Sequence, residues 1–237
     1  MKGETKMNKL DYMKVPKLLF NTDDFDILPA RDLPNIIITY IHICMCESLY
    51  DFTSNISIGD ILLHYGNIPL KNKPKSYYGI LESLKFLTVN GYIKVIGQTS
   101  LNEDPPYKNI IRMELNSKFF HPDKYFFNIY IDEINALNEI CLESNLKKDL
   151  VFTLYFYIRS TINSSSRNMF FCNTETILEN IGFTKIQIES AMKLFIKETN
   201  GYTPLLIKVN NKNSYGYKCN ESFMRKDGHN IPIERKF

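Results

Sequence analysis

The chain is 237 residues long, carries 29 Lys+Arg against 26 Asp+Glu for a formal charge of +3, and is 44% hydrophobic. At roughly 100–200 residues per domain it suits one large domain or two small ones, and the apolar fraction excludes wholesale disorder. No apolar run approaches the roughly 18–20 residues of a membrane span, and the opening MKGETKMNKLDYMK lacks the apolar stretch of a secretory signal.

In chain order, MKVPKLLF (13–20) reads as a strand and residues 33–49 as a long apolar helix. Ser57-x-x-Asp60 resembles a capping box opening a second helix, which Gly66 ends in the left-handed position. Pro74 suits the first turn of a third helix, whose apolar stripe is Tyr77, Ile80, Leu81 and Leu84. That helix stops near Asn90-Gly91, and two extended stretches (92–97 and 110–115) flank a polar tip at 98–109. The pattern then starts again. A strand is expected at 125–131 and a long helix at 148–162, followed by a helix capped by Asn173 and ended by Gly182. Thr184-x-x-Gln187 opens a third helix with the stripe Ile188, Ala191, Met192 and Phe195. Extended stretches at 204–209 and 217–219 close the copy around a tip at 210–216.

Three matches in one order support a repeat. Asp32 and Tyr40 fall on Asp149 and Tyr157, and Ile61, Leu62 and Gly66 fall on Ile177, Leu178 and Gly182. Asn90-Gly91-Tyr92 recurs as Asn200-Gly201-Tyr202. Two units of about 115 residues follow, 1–120 and 121–237. Three helices and a hairpin are the plan of a winged helix-turn-helix, so the expected fold is α+β, mainly α, with two such units in tandem.

Charge is unevenly spread. Residues 67–97 carry a net +4 and residues 184–237 a net +5, whereas 1–66 and 98–147 each carry −3. Positive charge thus gathers where each third helix and hairpin would meet a polyanion. In unit one the candidate DNA contacts are Lys71, Lys73, Lys75, Ser76 and Ser83, with Gly79 on the same side. In unit two they are Thr184, Lys185, Gln187, Ser190 and Lys193, beside Glu189, with Asn211, Lys212 and Asn213 at the hairpin tip. Lysine suits phosphate or guanine, and glutamine can read adenine bidentately. The first tip, with Glu103 and Asp104, suits DNA poorly.

Other chemistry has little support. His42 and Cys46 stand four apart, as two metal ligands would, but IIITYIHICM reads more readily as core packing. Asp23, Asp24 and Asp26 read as a solvated turn, and His64, His121 and His229 as isolated. Tyr40 and Tyr157 lie in apolar helices, with no metal-binding histidine pair beside them to suit a nicking nucleophile. No phosphate loop or nucleophile elbow is present, so neither an enzyme nor a cofactor is expected. Five scattered cysteines, an odd number, point to a reduced cytoplasmic protein.

Tyr12-Met13-Lys14-Val15-Pro16-Lys17-Leu18-Leu19-Phe20 resembles the strand that opens the N-terminal winged-helix domain of Firmicutes plasmid replication initiators of the RepA type. Leu28-Pro29-Ala30-Arg31-Asp32 stands where that family begins its next helix. The resemblance implies a plasmid or phage replication initiator that binds double-stranded DNA at repeated AT-rich sites. A mobile-element transcription regulator and a winged-helix protein–protein module are the alternatives. The apolar first helices would suit a homodimer.

Overall fold

A computed structural model describes residues 12–20, 27–48, 51–66, 75–97, 100–116, 126–164, 169–171, 174–199, 201–211 and 214–223. The fold is α+β and mainly helical. In order come β1 (Tyr12–Pro16), a 3-10 turn (Lys17–Phe20), α1 (Pro29–Asp32), α2 (Ile36–Met45), β2 (Thr53–Ile56), α3 (Ile58–His64) and α4 (Lys75–Val89). Next are β3 (Ile93–Ile96), a 3-10 turn (Leu101–Glu103), β4 (Ile111–Leu115), β5 (Phe126–Tyr130), α5 (Ile131–Glu143) and α6 (Lys148–Ser164). Then follow α7 (Thr174–Ile181), α8 (Lys185–Phe195), β6 (Leu206–Asn211) and β7 (Ser214–Cys219). The chain divides into two compact units: unit 1 is Met1–Met13 with Asn35–Pro122, and unit 2 is Lys14–Pro34 with Asp123–Phe237.

In unit 1, α2 is buried on every side from Ile36 to Ile43, as expected of a helix that is apolar all round. The sheet has three strands in the order β2-β4-β3, all antiparallel, with Ile56 opposite Ile111 and Val95 opposite Met113. Strand β2 falls where the sequence suggests only a connection. Its polar Ser54 is buried and donates to the Ile43 carbonyl at 2.7 Å, which ties the strand to the end of α2.

The capping box at the head of α3 is formed: Asp60 N donates to Ser57 Oγ at 3.0 Å, and Ser57 N donates to Asp60 Oδ2 at 3.0 Å. Replacing Ser57 with alanine is expected to cost about 1 kcal/mol of unit 1 stability. Urea denaturation reads this directly, and a shift within error of zero would mean the cap is dispensable.

Helix α4 packs Tyr77, Ile80, Leu81, Leu84 and Leu87 into the core of unit 1. The segment between β3 and β4 folds back over the starts of α3 and α4. Gly59 N donates to the Tyr107 carbonyl at 2.9 Å and Tyr77 OH to the Pro105 carbonyl at 2.5 Å. A Cβ on Gly59 would stand 2.8 Å from that Tyr107 oxygen, so only glycine admits the approach.

In unit 2, residues 14–34 join the second half of the chain, although the sequence pattern puts them at the head of the first. Strand β1 pairs with β5, Phe20 packs 6.1 Å from Phe127 and 6.2 Å from Tyr157, and Arg31 Nη1 donates to the Glu179 carbonyl at 3.3 Å. Helix α5 is a further element that the repeat does not anticipate. Its first turn supplies Glu133, and α6 supplies Tyr155 and Arg159, all at most 2% exposed. Arg159 Nε stands 2.9 Å from Glu133 Oε1, an ion pair whose N–H is not aligned for a hydrogen bond. Its other nitrogens donate to the Asn128 carbonyl at 2.9 Å and Cys219 Sγ at 3.1 Å. Tyr155 OH donates to Glu133, and the second carboxylate oxygen accepts from Tyr130 N at 2.8 Å. Burial opposes the Arg159 charge, but Glu133 and its neighbours outweigh burial and hold the guanidinium above its ordinary value. Burial pushes the Cys219 thiol up to about 11 despite the cation beside it.

The rest of unit 2 repeats the order of unit 1. After α6, Phe170 bridges Tyr217 in place of a first strand; α7, α8 and the antiparallel β6–β7 hairpin follow. Gly182 has φ +71° after α7, as Gly66 has φ +78° after α3, so both helices end in the conformation that glycine favours.

Candidate nucleic-acid interface

Helix α8 begins at a second capping box. Gln187 N donates to Thr184 Oγ1 at 3.4 Å, while Thr184 N donates to Gln187 Oε1 at 2.9 Å. Ile188, Ala191, Met192 and Phe195 are buried, which fixes the rotation of the helix. At about 100° per residue, the side opposite that stripe is centred on Ile186, Ser190 and Lys193, and Lys197 follows just past the end of the helix. Ile186 is 76% exposed, and Lys193 and Lys197 are exposed as well.

Sequence reasoning placed these residues unequally well. Lys185 is exposed on the flank of that face, with Nζ 3.9 Å from Glu189 Oε1; such a surface pair is worth about 1 kcal/mol or less. Ser190 is half-buried near the centre. Thr184 is exposed but engaged in the cap, and the Gln187 amide oxygen is held there too. Bidentate reading of adenine needs both the oxygen and the nitrogen of the amide, so Gln187 has to leave the cap before it can read that way. Asn211 ends β6 opposite Ser214; Lys212 and Asn213 lie outside the described residues. Lys208 and Lys218 of the hairpin are exposed.

Ile186 and Lys197 were missed, although the signal was available. The stripe 188, 191, 192, 195 sets the rotation, and an isoleucine two residues before it falls on the polar side. A shallow cleft of about 210 Å³ runs along the flank of α8, lined by residues including Glu189, Met192, Lys193, Ile196 and Tyr217.

In unit 1, Lys75 is exposed at the first position of α4. Ser76 is half-buried, and its carbonyl accepts from Asn35 Nδ2 at 3.4 Å. Ser83 corrects the sequence reading: it is fully buried, and its hydroxyl donates to the Gly79 carbonyl at 2.7 Å. The reason is the width of the apolar stripe, which on α4 extends to Leu87 and sweeps Ser83 into the core. Gly79 is likewise turned from solvent, since a Cβ there would meet Asn35 Nδ2 at 2.4 Å. The outward side of α4 is instead Lys75, Tyr78, Glu82 and Val89. When the two apolar stripes are aligned, Glu82 holds the place of Lys193. Lys71 and Lys73 lie outside the described residues, as do Asp23, Asp24 and Asp26.

His42 is buried, 3.6 Å through Nε2 from Cys46 Sγ, with its ring 5.3 Å from that of His64. Among the described residues no group of three or more His, Cys, Asp or Glu side chains is placed to hold a metal ion. Burial, reinforced by His64 and opposed by Asp60, pushes His42 down to about 4. In the unfolded chain it titrates near 6.5, so between about pH 6.5 and 4 the unfolded state binds the extra proton. Stability is expected to fall by about 3 kcal/mol as pH drops through that window, and His42→Gln is expected to flatten the fall. Denaturation midpoints at pH 7 and pH 4 check this; equal losses in both proteins would contradict it.

No helix among the described residues is long and apolar enough to cross a membrane. None of the family models, curated proteins or solved structures compared with the chain matches it.

Proposed function

We propose that the chain holds two winged-helix units in tandem and binds double-stranded DNA site-specifically, with α8 of unit 2 as the principal reading helix. Three facts support the fold reading. Both units run helix, strand or bridge, helix, helix, hairpin; the first strand or bridge of each pairs with the last strand; and the third helix is pinned by a single apolar stripe. The observation that carries the function is the outward face of α8, where Lys193 follows Ile186 and Ser190, with Lys185 on the flank and Lys197 just past the end of the helix. Cations on the outward side of a helix suit phosphates along a major groove, and the residues beside them would face base edges.

The two units contribute unequally. Glu82, ion-paired with Lys85 at 2.9 Å, stands on α4 where α8 carries Lys193, so that position offers phosphate no attraction, and the hairpin segment of unit 1 is folded back onto its own helices. Lys75 is the described α4 residue best placed for a backbone contact. Tyr78 and Val89, exposed beside Glu82, favour a protein contact for this face over base reading.

A role in replication initiation rests on the resemblance of Tyr12–Phe20 to RepA-type initiators, and regulation of transcription is the competing role for the same interface. A repeated, AT-rich duplex near the coding gene is the expected target. Titrating the full chain into that duplex and into a scrambled control of equal composition, by fluorescence anisotropy, tests the proposal. Preference for the repeat of tenfold or more is the expected result; equal binding to both, or none, would overturn it.

A further inference from the structure

We infer that Ile186 is a specificity-determining residue that reads the C5-methyl group of a thymine, which makes a thymine the preferred base at one position of the site read by α8. The inference rests on the proposed DNA-binding role of that helix. Ile186 is the second residue of α8 and stands 76% exposed, on the side opposite the buried stripe Ile188, Ala191, Met192 and Phe195. Lys193 lies on the same face two turns further along and Lys185 on the flank, so a partner laid along this side of the helix meets an apolar group followed by a cation. Duplex DNA matches both features in the major groove, where thymine alone among the four bases presents a methyl group.

The neighbouring polar group strengthens the assignment. Gln187 holds its amide oxygen on Thr184 N at 2.9 Å and on the Thr184 hydroxyl at 3.0 Å, so the first turn spends its one amide on its own cap. What remains at the centre of that turn is a branched aliphatic side chain with no hydrogen-bonding capacity. It discriminates by burying a methyl group and by leaving a gap where that methyl is missing.

The test uses the full chain and a duplex selected by the wild-type protein from a randomised library, with each thymine replaced in turn by uracil, which differs only in lacking the methyl. Wild-type binding is expected to weaken about fourfold at one uracil position, the worth of one buried methyl group. Ile186→Ala is expected to bind the all-thymine site more weakly and to lose the uracil sensitivity at that position alone. Because Ile186 is exposed, an unchanged thermal melt is expected and separates loss of reading from loss of fold. Equal wild-type binding to every uracil duplex would overturn the inference while leaving DNA binding intact, as would an Ile186→Ala chain that keeps the sensitivity. If Ile186→Ala instead alters self-association with binding unchanged, the residue is a protein contact and the inference is lost. Recovery of no sequence from the library would overturn both the inference and the reading beneath it.

Discussion

Replacing Arg159 with methionine is expected to destabilise unit 2 by about 3–5 kcal/mol, because it strands a buried carboxylate. Glu133 is 1% exposed, and its hydrogen bonds from Tyr155 OH and Tyr130 N leave it a polar cage but no cation. The Asn128 carbonyl and the Cys219 thiol lose their donor in the same step. A loss of this size is a large fraction of the roughly 5–15 kcal/mol that holds a domain folded. The double replacement Arg159→Met with Glu133→Leu is expected to recover much of it, since a matched apolar pair removes both desolvation costs. Urea denaturation of the three chains checks both statements. If the single and double variants are equally unstable, the damage lies in packing and not in the unpaired charge.

The network matters for the interface through position. Helix α6, which carries Tyr155 and Arg159, packs against both α7 and α8, and Tyr155 lies 5.4 Å from Phe195 on the buried side of α8. Glu133 and Arg159 therefore anchor the layer on which the proposed reading helix rests.

Much of the local structure was legible. Both capping boxes, the glycine helix stops and both third-helix stripes form where their residue spacing puts them, because each depends on neighbours within one or two turns. Elements made by distant partners were harder to read. Strand β2, TSNI, has no apolar alternation of its own and exists because β4 pairs with it and Ser54 reaches Ile43. Residues 14–34 illustrate the same limit. The strand expected at 13–20 forms only as far as Pro16, where a 3-10 turn (Lys17–Phe20) takes over, and which half of the chain supplies its partner β5 is a matter of tertiary pairing. Ser83 was misplaced because a helix stripe judged from four residues appears narrower than the surface it has to cover. Ile186 was overlooked for the opposite reason: attention to polar groups passes over an isoleucine that the same stripe turns outward.

Neutralising Lys185, Lys193 and Lys197 together has the largest expected effect on binding. All three side chains are exposed, so the fold is expected to survive their replacement by alanine. If each meets one phosphate, the plot of log binding constant against log salt becomes shallower by about 0.9 per lysine. A slope change of roughly three means that a fourfold rise in salt weakens the wild-type chain about fortyfold more than it weakens the triple variant. The measurement is fluorescence anisotropy of a labelled duplex from about 50 to 200 mM salt, with the wild-type and triple-variant chains side by side. A steep wild-type slope that is shallower by about three in the variant is the expected result. Parallel lines, or a wild-type affinity indifferent to salt, would contradict the assignment of α8 as the DNA-binding face.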